Sequence, residues 1–155
     1  MSYRITGLPM APFAPLFAMD DAALAAHCAM RTSAAADRGF PCRVSLVDAR
    51  QGEELILLNH VSHDVATPFR SSYAIYVRAG AAEPEPFIDC TPPVFEGRTL
   101  SMRGFDAAGM LREGRLAAPG EADAVIRDLF AGEQIAYIHA HNAAPGCFAA
   151  RIDRT

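Results

Sequence analysis

The pattern of hydrophobic and polar positions predicts a series of β-strands. Residues 55–58 are an unbroken apolar run, which indicates a strand buried on both faces, since strands with one exposed face alternate. In the segment YAIYVR, Tyr73, Ile75 and Val77 alternate with other residues and predict a second strand. Further strands are predicted over residues 3–5, 42–48, 99–105 and 110–116.

Two segments carry helical patterns. One follows the break at Pro119 and Gly120, and its apolar residues recur at the spacing that places them in one stripe. These residues are Ala122, Val125, Ile126, Leu129 and Phe130. The other is MDDAALAAHCAM, residues 19–30, for which Asp20 is the predicted N-cap. Strands and helices together predict an α+β fold, a single domain over residues 1–155 with a mostly antiparallel sheet and two main helices.

Composition limits the class of protein and of partner. The chain has 155 residues, of which 51% are hydrophobic and 21% charged, as is typical of a globular domain with one core. Its net charge of −4 and its scattered arginines argue against a nucleic-acid partner, because such binding rests on clustered positive charge. No run reaches the roughly 18 apolar residues of a membrane-spanning helix, and prolines interrupt the uncharged stretch over residues 5–19. We therefore expect neither a membrane partner nor a signal peptide.

The absence of lysine excludes two kinds of chemistry. All 14 basic residues are arginine, so no side-chain amine can form a Schiff base with pyridoxal phosphate. Gly109 and Gly114 have the spacing of a nucleotide-binding P-loop, but Arg115 and Leu116 stand where that loop requires lysine and serine or threonine. The four cysteines include no C-x-x-C pair and predict reduced thiols in a cytoplasmic protein.

The C-terminal segment, residues 134–152, predicts a β-hairpin whose register decides which side chains share a face. A four-residue loop would place His139 and His141 on the side of Phe148, among apolar residues. A five-residue loop would pair His141 with Cys147 and would keep the apolar residues together on the core face. The second register separates polar from apolar residues, and it is the one we predict.

In this register, the histidines and Cys147 share a polar face that could hold an anion. A guanidinium forms two parallel hydrogen bonds to a carboxylate or a phosphate, and Arg70 and Arg43 are the predicted contributors. For Arg70 the alternative is a surface pair with an acidic residue. We therefore predict a small anionic ligand, bound by His139, His141, Arg70, Arg43 and Cys147.

Two alternative sites use the same region. The first is a site for zinc or another transition metal, since histidines two residues apart on a strand project the same way. Its predicted ligands are His139, His141, His60 and His63. The second is a catalytic thiol at Cys42, because the neighbouring guanidinium of Arg43 favours the reactive thiolate. Burial as a small hydrophobic residue is the alternative for Cys42.

Three stretches of the chain resemble one family. They are FPCRVSLVDARQGEELILLNH, PFRSSYAIYVR and HAHNAAPGCFAARIDR, and they are similar to the bacterial proteins grouped as domain of unknown function 1203. The resemblance runs from about residue 8 to residue 154, and FPCR and HNAAPGC are its most specific parts. It implies a small bacterial single-domain protein and supplies no activity.

Three functions are therefore open. The leading one is binding of a small anionic ligand, or chemistry on one, in a polar pocket formed by histidine, arginine and cysteine. The alternatives are a transition-metal site on the C-terminal hairpin and a protein-interaction module without a small-molecule site. A deep pocket favours the first two, and an exposed apolar patch favours the third. Substrate, reaction and oligomeric state are left open.

Overall fold

A computed structural model describes all 155 residues. The strands are β1 (Tyr3–Thr6), β2 (Ala29–Ser33), β3 (Glu54–His63), β4 (Ser71–Arg78), β5 (Phe87–Ile88), β6 (Leu100–Phe105), β7 (Leu111–Ala117), β8 (Tyr137–Asn142) and β9 (Phe148–Arg154). The helices are α1 (Asp21–Ala26) and α2 (Ala122–Ala131), with 3-10 turns at Ala14–Ala18 and Pro93–Phe95. No helix is long and apolar enough to cross a membrane.

The strands form two sheets in which every pairing is antiparallel. The larger sheet has the order β5-β1-β9-β8-β6-β7, and the smaller has the order β2-β3-β4. With its two α-helices the chain therefore has the predicted α+β class.

Helix α2 packs on one face of the larger sheet. Ile126 and Leu129 on the helix are fully buried, in the same core as Ile138 and Ala140 of β8, which confirms the predicted apolar stripe. The helix ends at Gly132, whose backbone N–H donates to the Leu129 carbonyl oxygen at 3.1 Å.

Helix α1 belongs to the core of the smaller sheet, through its buried residue Leu24. The Asp20 carboxylate accepts the backbone N–H of Ala23 at 2.8 Å, which confirms Asp20 as the N-cap. The predicted helical segment is longer than the helix itself. Cys28 has a φ of 51°, and the chain turns there into β2, a strand that the sequence pattern did not indicate.

The predicted strand over residues 42–48 is wrong. The segment is a turn in which Leu46, with a φ of 54°, donates its N–H to the Cys42 carbonyl oxygen at 3.0 Å. Val44 packs in the core of the smaller sheet, whereas Leu46 packs in the core under α2. The apolar residues alternate here because they pack in two separate cores. In the sequence this spacing cannot be distinguished from that of a strand.

Asn142 and Cys147 pair across the turn between β8 and β9, and four residues, 143–146, separate them. The backbone N–H of Asn142 donates to the Cys147 carbonyl oxygen at 2.9 Å, and His141 lies opposite Phe148. The predicted five-residue loop, with its pairing of His141 and Cys147, is therefore wrong. Successive strand residues project to opposite sides, so Cys147 leaves the face that carries His141 and Phe148.

A β-bulge beside this turn restores the separation of polar and apolar residues. The pairing shifts past Ala149, so that Ala140 lies opposite Ala150 and Ile138 lies opposite Ile152. These residues all belong to the core under α2. The hydrophobic pattern therefore indicated the buried face of β8 correctly, although it gave the wrong loop length.

Candidate functional site

Three buried histidines meet on the face of the larger sheet that points away from α2. His139 and His141 project from β8, with ring centroids 6.2 Å apart. His63 reaches them from the end of β3, and its ring centroid lies 4.9 Å from that of His139. A register shift between Val61 and His63 opens β3 at this point. We call His63, His139 and His141 the histidine cluster.

Carbonyl oxygens fix the ring protons of two members of the histidine cluster. His63 Nδ1 donates to the Phe69 carbonyl oxygen at 2.9 Å, and His63 Nε2 accepts the Tyr137 hydroxyl at 2.7 Å. His141 Nδ1 donates to the Gly146 carbonyl oxygen at 2.9 Å. Because a carbonyl oxygen only accepts, each Nδ1 carries the hydrogen in the neutral ring. His141 is therefore left with a free acceptor at Nε2.

Burial keeps His139 and His141 neutral. Desolvation, assisted by the nearby imidazoles of His63 and His141, lowers the pKa of His139 from 6.5 to about 3. Desolvation also lowers the pKa of His141 to about 4, although a backbone carbonyl acts in the opposite direction. The His139 ring forms no hydrogen bond within the protein and packs edge-on against Phe105 and Phe148. At neutral pH these two rings are uncharged.

A cavity of about 310 Å³ lies beside His141. Arg103 lines it, donates to the Tyr73 hydroxyl oxygen at 2.9 Å and contacts no carboxylate. Arg70, also in its lining, forms an exposed pair with Asp64 at 2.9 Å. Arg70 thus makes the surface pair that was the alternative to ligand binding. We call this space the His141 cavity.

Arg43 is the only arginine or acidic side chain that is buried, with 2% of its surface exposed. Its Nε donates to the Phe148 carbonyl oxygen at 2.7 Å, its Nη1 to the Pro41 carbonyl oxygen, and its Nη2 to Cys147 Sγ at 3.2 Å. Burial lowers the pKa of Arg43 from its usual value, while the Cys147 sulfur acts in the opposite direction. A guanidinium nevertheless stays charged in proteins. Its positive charge has no carboxylate partner in the chain.

The Cys147 sulfur accepts two hydrogen bonds. Besides the Arg43 guanidinium, the side-chain amide of Asn142 donates to it at 3.3 Å. The cysteine is free and partly exposed.

A cavity of about 460 Å³ lies beside this sulfur. We call it the Cys147 cavity; its polar lining includes Arg43, Thr99, Asn142 and Cys147, and its apolar lining includes Pro41, Ala74 and Pro145. Arg98 also lines it, but both of its terminal nitrogens are engaged by the Asp48 carboxylate at 2.9 and 2.7 Å. Arg43 is thus the guanidinium at this cavity that lacks a carboxylate.

The cavity joins the two stretches FPCR and HNAAPGC, which lie far apart in sequence. A family model described as Protein of unknown function (DUF1203) matches residues 39–154. The chain belongs to this family. The match confirms the resemblance over residues 39–154, which include every residue that lines the Cys147 cavity and all three members of the histidine cluster. A search of curated proteins and a search of solved structures found no match.

The fold divides the predicted ligand-binding residues between two places. Arg43 and Cys147 meet at the Cys147 cavity. His141 and Arg70 line the His141 cavity, and His139 lies in the histidine cluster. The five residues therefore do not line one pocket.

The residues of the two alternative sites are also separated. Of the predicted metal ligands, His60 packs against Phe13, with ring centroids 5.7 Å apart, instead of extending the cluster. No group of three or more histidine, cysteine or acidic side chains is arranged to hold a metal ion. Cys42 is fully buried, and its sulfur accepts the backbone N–H of Arg78 at 3.3 Å. Metal binding and a reactive Cys42 both stay predictions.

Sequence reasoning missed several residues that line the two cavities. Asn142 lies between His141 and the turn, so its place in HNAAPGC was a signal that a polar side chain stood close to Cys147. Thr99 and Tyr73 reach their cavities from other parts of the chain, and no spacing in the sequence connects them to the hairpin.

Proposed function

We propose that this protein binds a small organic anion, such as a carboxylate on a compact apolar body, in the Cys147 cavity. The observation that carries the proposal is the Arg43 guanidinium, which is 2% exposed, lines the cavity and contacts no carboxylate. Three acceptors hydrogen-bond this guanidinium, but none of them is a carboxylate, and taking an ion out of water costs several kcal/mol. An anion in the cavity would offset that cost.

Arg43 has donors left for such a ligand. A guanidinium has five N–H groups, and three of those on Arg43 point to the Phe148 carbonyl, the Pro41 carbonyl and the Cys147 sulfur. Two N–H groups are therefore free. The Thr99 hydroxyl in the same lining can add a third hydrogen bond.

The size and lining of the cavity favour an organic ligand over a bare inorganic ion. Its volume of about 460 Å³ lies within the range of small-molecule sites. Ala74, Pro41 and Pro145 offer apolar contacts beside the single free guanidinium. Benzoate combines one carboxylate with an apolar ring and is therefore a suitable first probe.

Calorimetric titration with benzoate tests the proposal. Wild-type protein should bind, and Arg43→Gln should lose about tenfold or more in affinity, because a hydrogen bond to a charged group contributes about 1.5–3 kcal/mol. Arg103→Gln is the matched control at the His141 cavity and should bind as wild type does. No binding by the wild type, or equal binding by Arg43→Gln, would contradict the proposal.

A second pair of variants leaves the guanidinium in place. Arg43 also holds two backbone carbonyls, so its removal disturbs the fold as well as the site. Ala144→Phe places a large ring at the exposed wall of the Cys147 cavity and should weaken benzoate binding. Ala107→Phe makes the same change at an exposed position of the turn between β6 and β7 and should have no effect.

The His141 cavity is a second candidate for the same function. Arg103 there has no carboxylate partner, and the acceptor at His141 Nε2 is free to receive a ligand hydroxyl. The cavity is smaller, at about 310 Å³, and Arg103 is only partly buried. Benzoate binding that is lost in Arg103→Gln and retained in Arg43→Gln would assign the function to this cavity.

We also propose that the protein works in the bacterial cytoplasm. All four cysteines are free, as in proteins of reducing compartments. The family resemblance supports a bacterial source, and the net charge of −4 supports the view that nucleic acid is not a partner. A transition-metal site and a protein-interaction role stay predictions from the sequence.

A further inference from the structure

We propose that Cys147 is a nucleophile that forms a mixed disulfide with an anionic low-molecular-weight disulfide bound in the Cys147 cavity. The inference rests on the proposed function, because the same cavity must first accept an anion. It adds a covalent modification site and a chemical class of reactant.

The surroundings of the sulfur support a nucleophilic role. Arg43 Nη2 and Asn142 Nδ2 both donate to Cys147 Sγ, at 3.2 and 3.3 Å. The guanidinium cannot move away easily, because carbonyl oxygens of Pro41 and Phe148 also hold it. Both donors can hydrogen-bond the thiolate, which is the form that attacks disulfides.

The other three cysteines lack this combination. Cys42 is fully buried and accepts only a backbone N–H. Cys28 and Cys90 are exposed, and their sulfurs accept no hydrogen bond from the protein. Cys147 alone combines access through a cavity with two side-chain donors.

The free donors on Arg43 define the reactant. While one Nη2 hydrogen points to the Cys147 sulfur, the two unused N–H groups can hold a carboxylate of the incoming molecule. A disulfide that carries a carboxylate would then be held with its sulfurs close to Sγ. A neutral disulfide would lack this contact.

The reaction is a balanced thiol–disulfide exchange. The Cys147 thiol first gives its proton to water, and the resulting thiolate attacks one sulfur of the bound disulfide. A new S–S bond forms to Cys147 as the original S–S bond breaks. The other half leaves as a thiolate that carries the electron pair, so the bound disulfide itself is the oxidant.

Two reagents test the inference: 5,5′-dithiobis(2-nitrobenzoate), which carries carboxylates, and the neutral 4,4′-dithiodipyridine. The protein carries Cys28→Ser and Cys90→Ser, so that the exposed thiols do not contribute. Absorbance of the released thiol gives each rate, and peptide mass spectrometry locates the adduct. With the anionic reagent, Cys147 should react about tenfold or more faster than the same protein unfolded in denaturant.

Variants then separate the effect of charge from general access. Arg43→Gln should lower the ratio of the anionic to the neutral rate about tenfold, and Asn142→Ala should slow both reagents without changing that ratio. Should Arg43→Gln fail to fold, Ala144→Phe replaces it and should slow both reagents about tenfold. An adduct on Cys42 alone, a rate no faster than that of the unfolded protein, or an unchanged ratio in folded Arg43→Gln would overturn the inference.

Cys147→Ser distinguishes this inference from the proposed function. If this variant binds benzoate while the wild-type thiol reacts no faster than an unfolded one, anion binding stands and only the nucleophile is refuted. If neither the variant nor the wild type binds benzoate and the neutral reagent reacts as fast as the anionic one, both are refuted.

Discussion

Acidification should destabilise this protein through the histidine cluster, and His139→Phe should remove a defined part of that effect. In the folded protein, burial lowers the pKa of His139 to about 3 and that of His141 to about 4, from 6.5. The unfolded chain therefore binds protons at these histidines at a pH where the folded chain does not. The contribution of these histidines to the free energy of unfolding is fully present above pH 6.5, and it should be lost as the pH decreases towards the folded pKa values.

The magnitude follows from the unfolded pKa. At pH 5, about 1.5 pH units below 6.5, protonation of the unfolded state stabilises it by about 2 kcal/mol for each histidine that stays neutral when folded. His139 and His141 together should thus account for about 4 kcal/mol between pH 7.5 and pH 5. The His139→Phe variant keeps an aromatic ring beside Phe105 and Phe148. Between pH 7.5 and pH 5, its free energy of unfolding should fall by about 2 kcal/mol less than that of the wild type.

Urea unfolding at pH 7.5 and pH 5, followed by circular dichroism, measures these differences. His27→Phe is the control, because His27 is exposed. Groups that titrate equally in all three proteins cancel when the pH effects are compared. The reasoning is refuted if His139→Phe loses as much stability on acidification as the wild type and His27→Phe do.

Two further predictions concern packing. A Cβ atom at Gly7 would overlap the Val44 carbonyl oxygen, so Gly7→Ala should markedly lower the urea midpoint. Gly114→Ala is the control and should change the midpoint little, because the atom nearest to a Cβ at Gly114 is 4.0 Å away. Leu129→Ala should cost about 2–5 kcal/mol, because Leu129 lies on the buried face of α2 and is fully buried. Arg127→Ala, on the exposed side of the same helix, should cost under about 1 kcal/mol even though it removes surface ion pairs.

The fold could be predicted from the sequence where the buried residues of an element all pack in a single core. Helix α2 buries residues at helical spacing against a single sheet, so Ile126 and Leu129 carried an unmistakable period. The strand predicted over residues 42–48 was wrong for the opposite reason. Val44 and Leu46 lie in a turn and pack in two different cores. Periodicity indicates which residues are buried, but it does not indicate the core in which each of them packs.

The candidate site was found only in part because register depends on bulges. A single unpaired residue, Ala149, let a four-residue turn coexist with the expected buried face of β8, and no sequence pattern distinguishes such an alanine from its neighbours. The direction of Cys147, and hence its contact with Arg43, followed from that turn. Arg43 itself was named as a ligand from its charge, but that it is buried without an acidic partner is a property of the fold alone.

Binding at the Arg43 guanidinium is tested most directly by a crystal structure with 4-bromobenzoate, in which anomalous scattering locates the bromine atom. We predict a single strong peak in the Cys147 cavity, with the carboxylate within hydrogen-bond distance of the two free N–H groups of Arg43, and no such peak in Arg43→Gln crystals. A peak in the His141 cavity beside Arg103, or a Cys147 cavity without bromine in wild-type crystals, would contradict the proposed function.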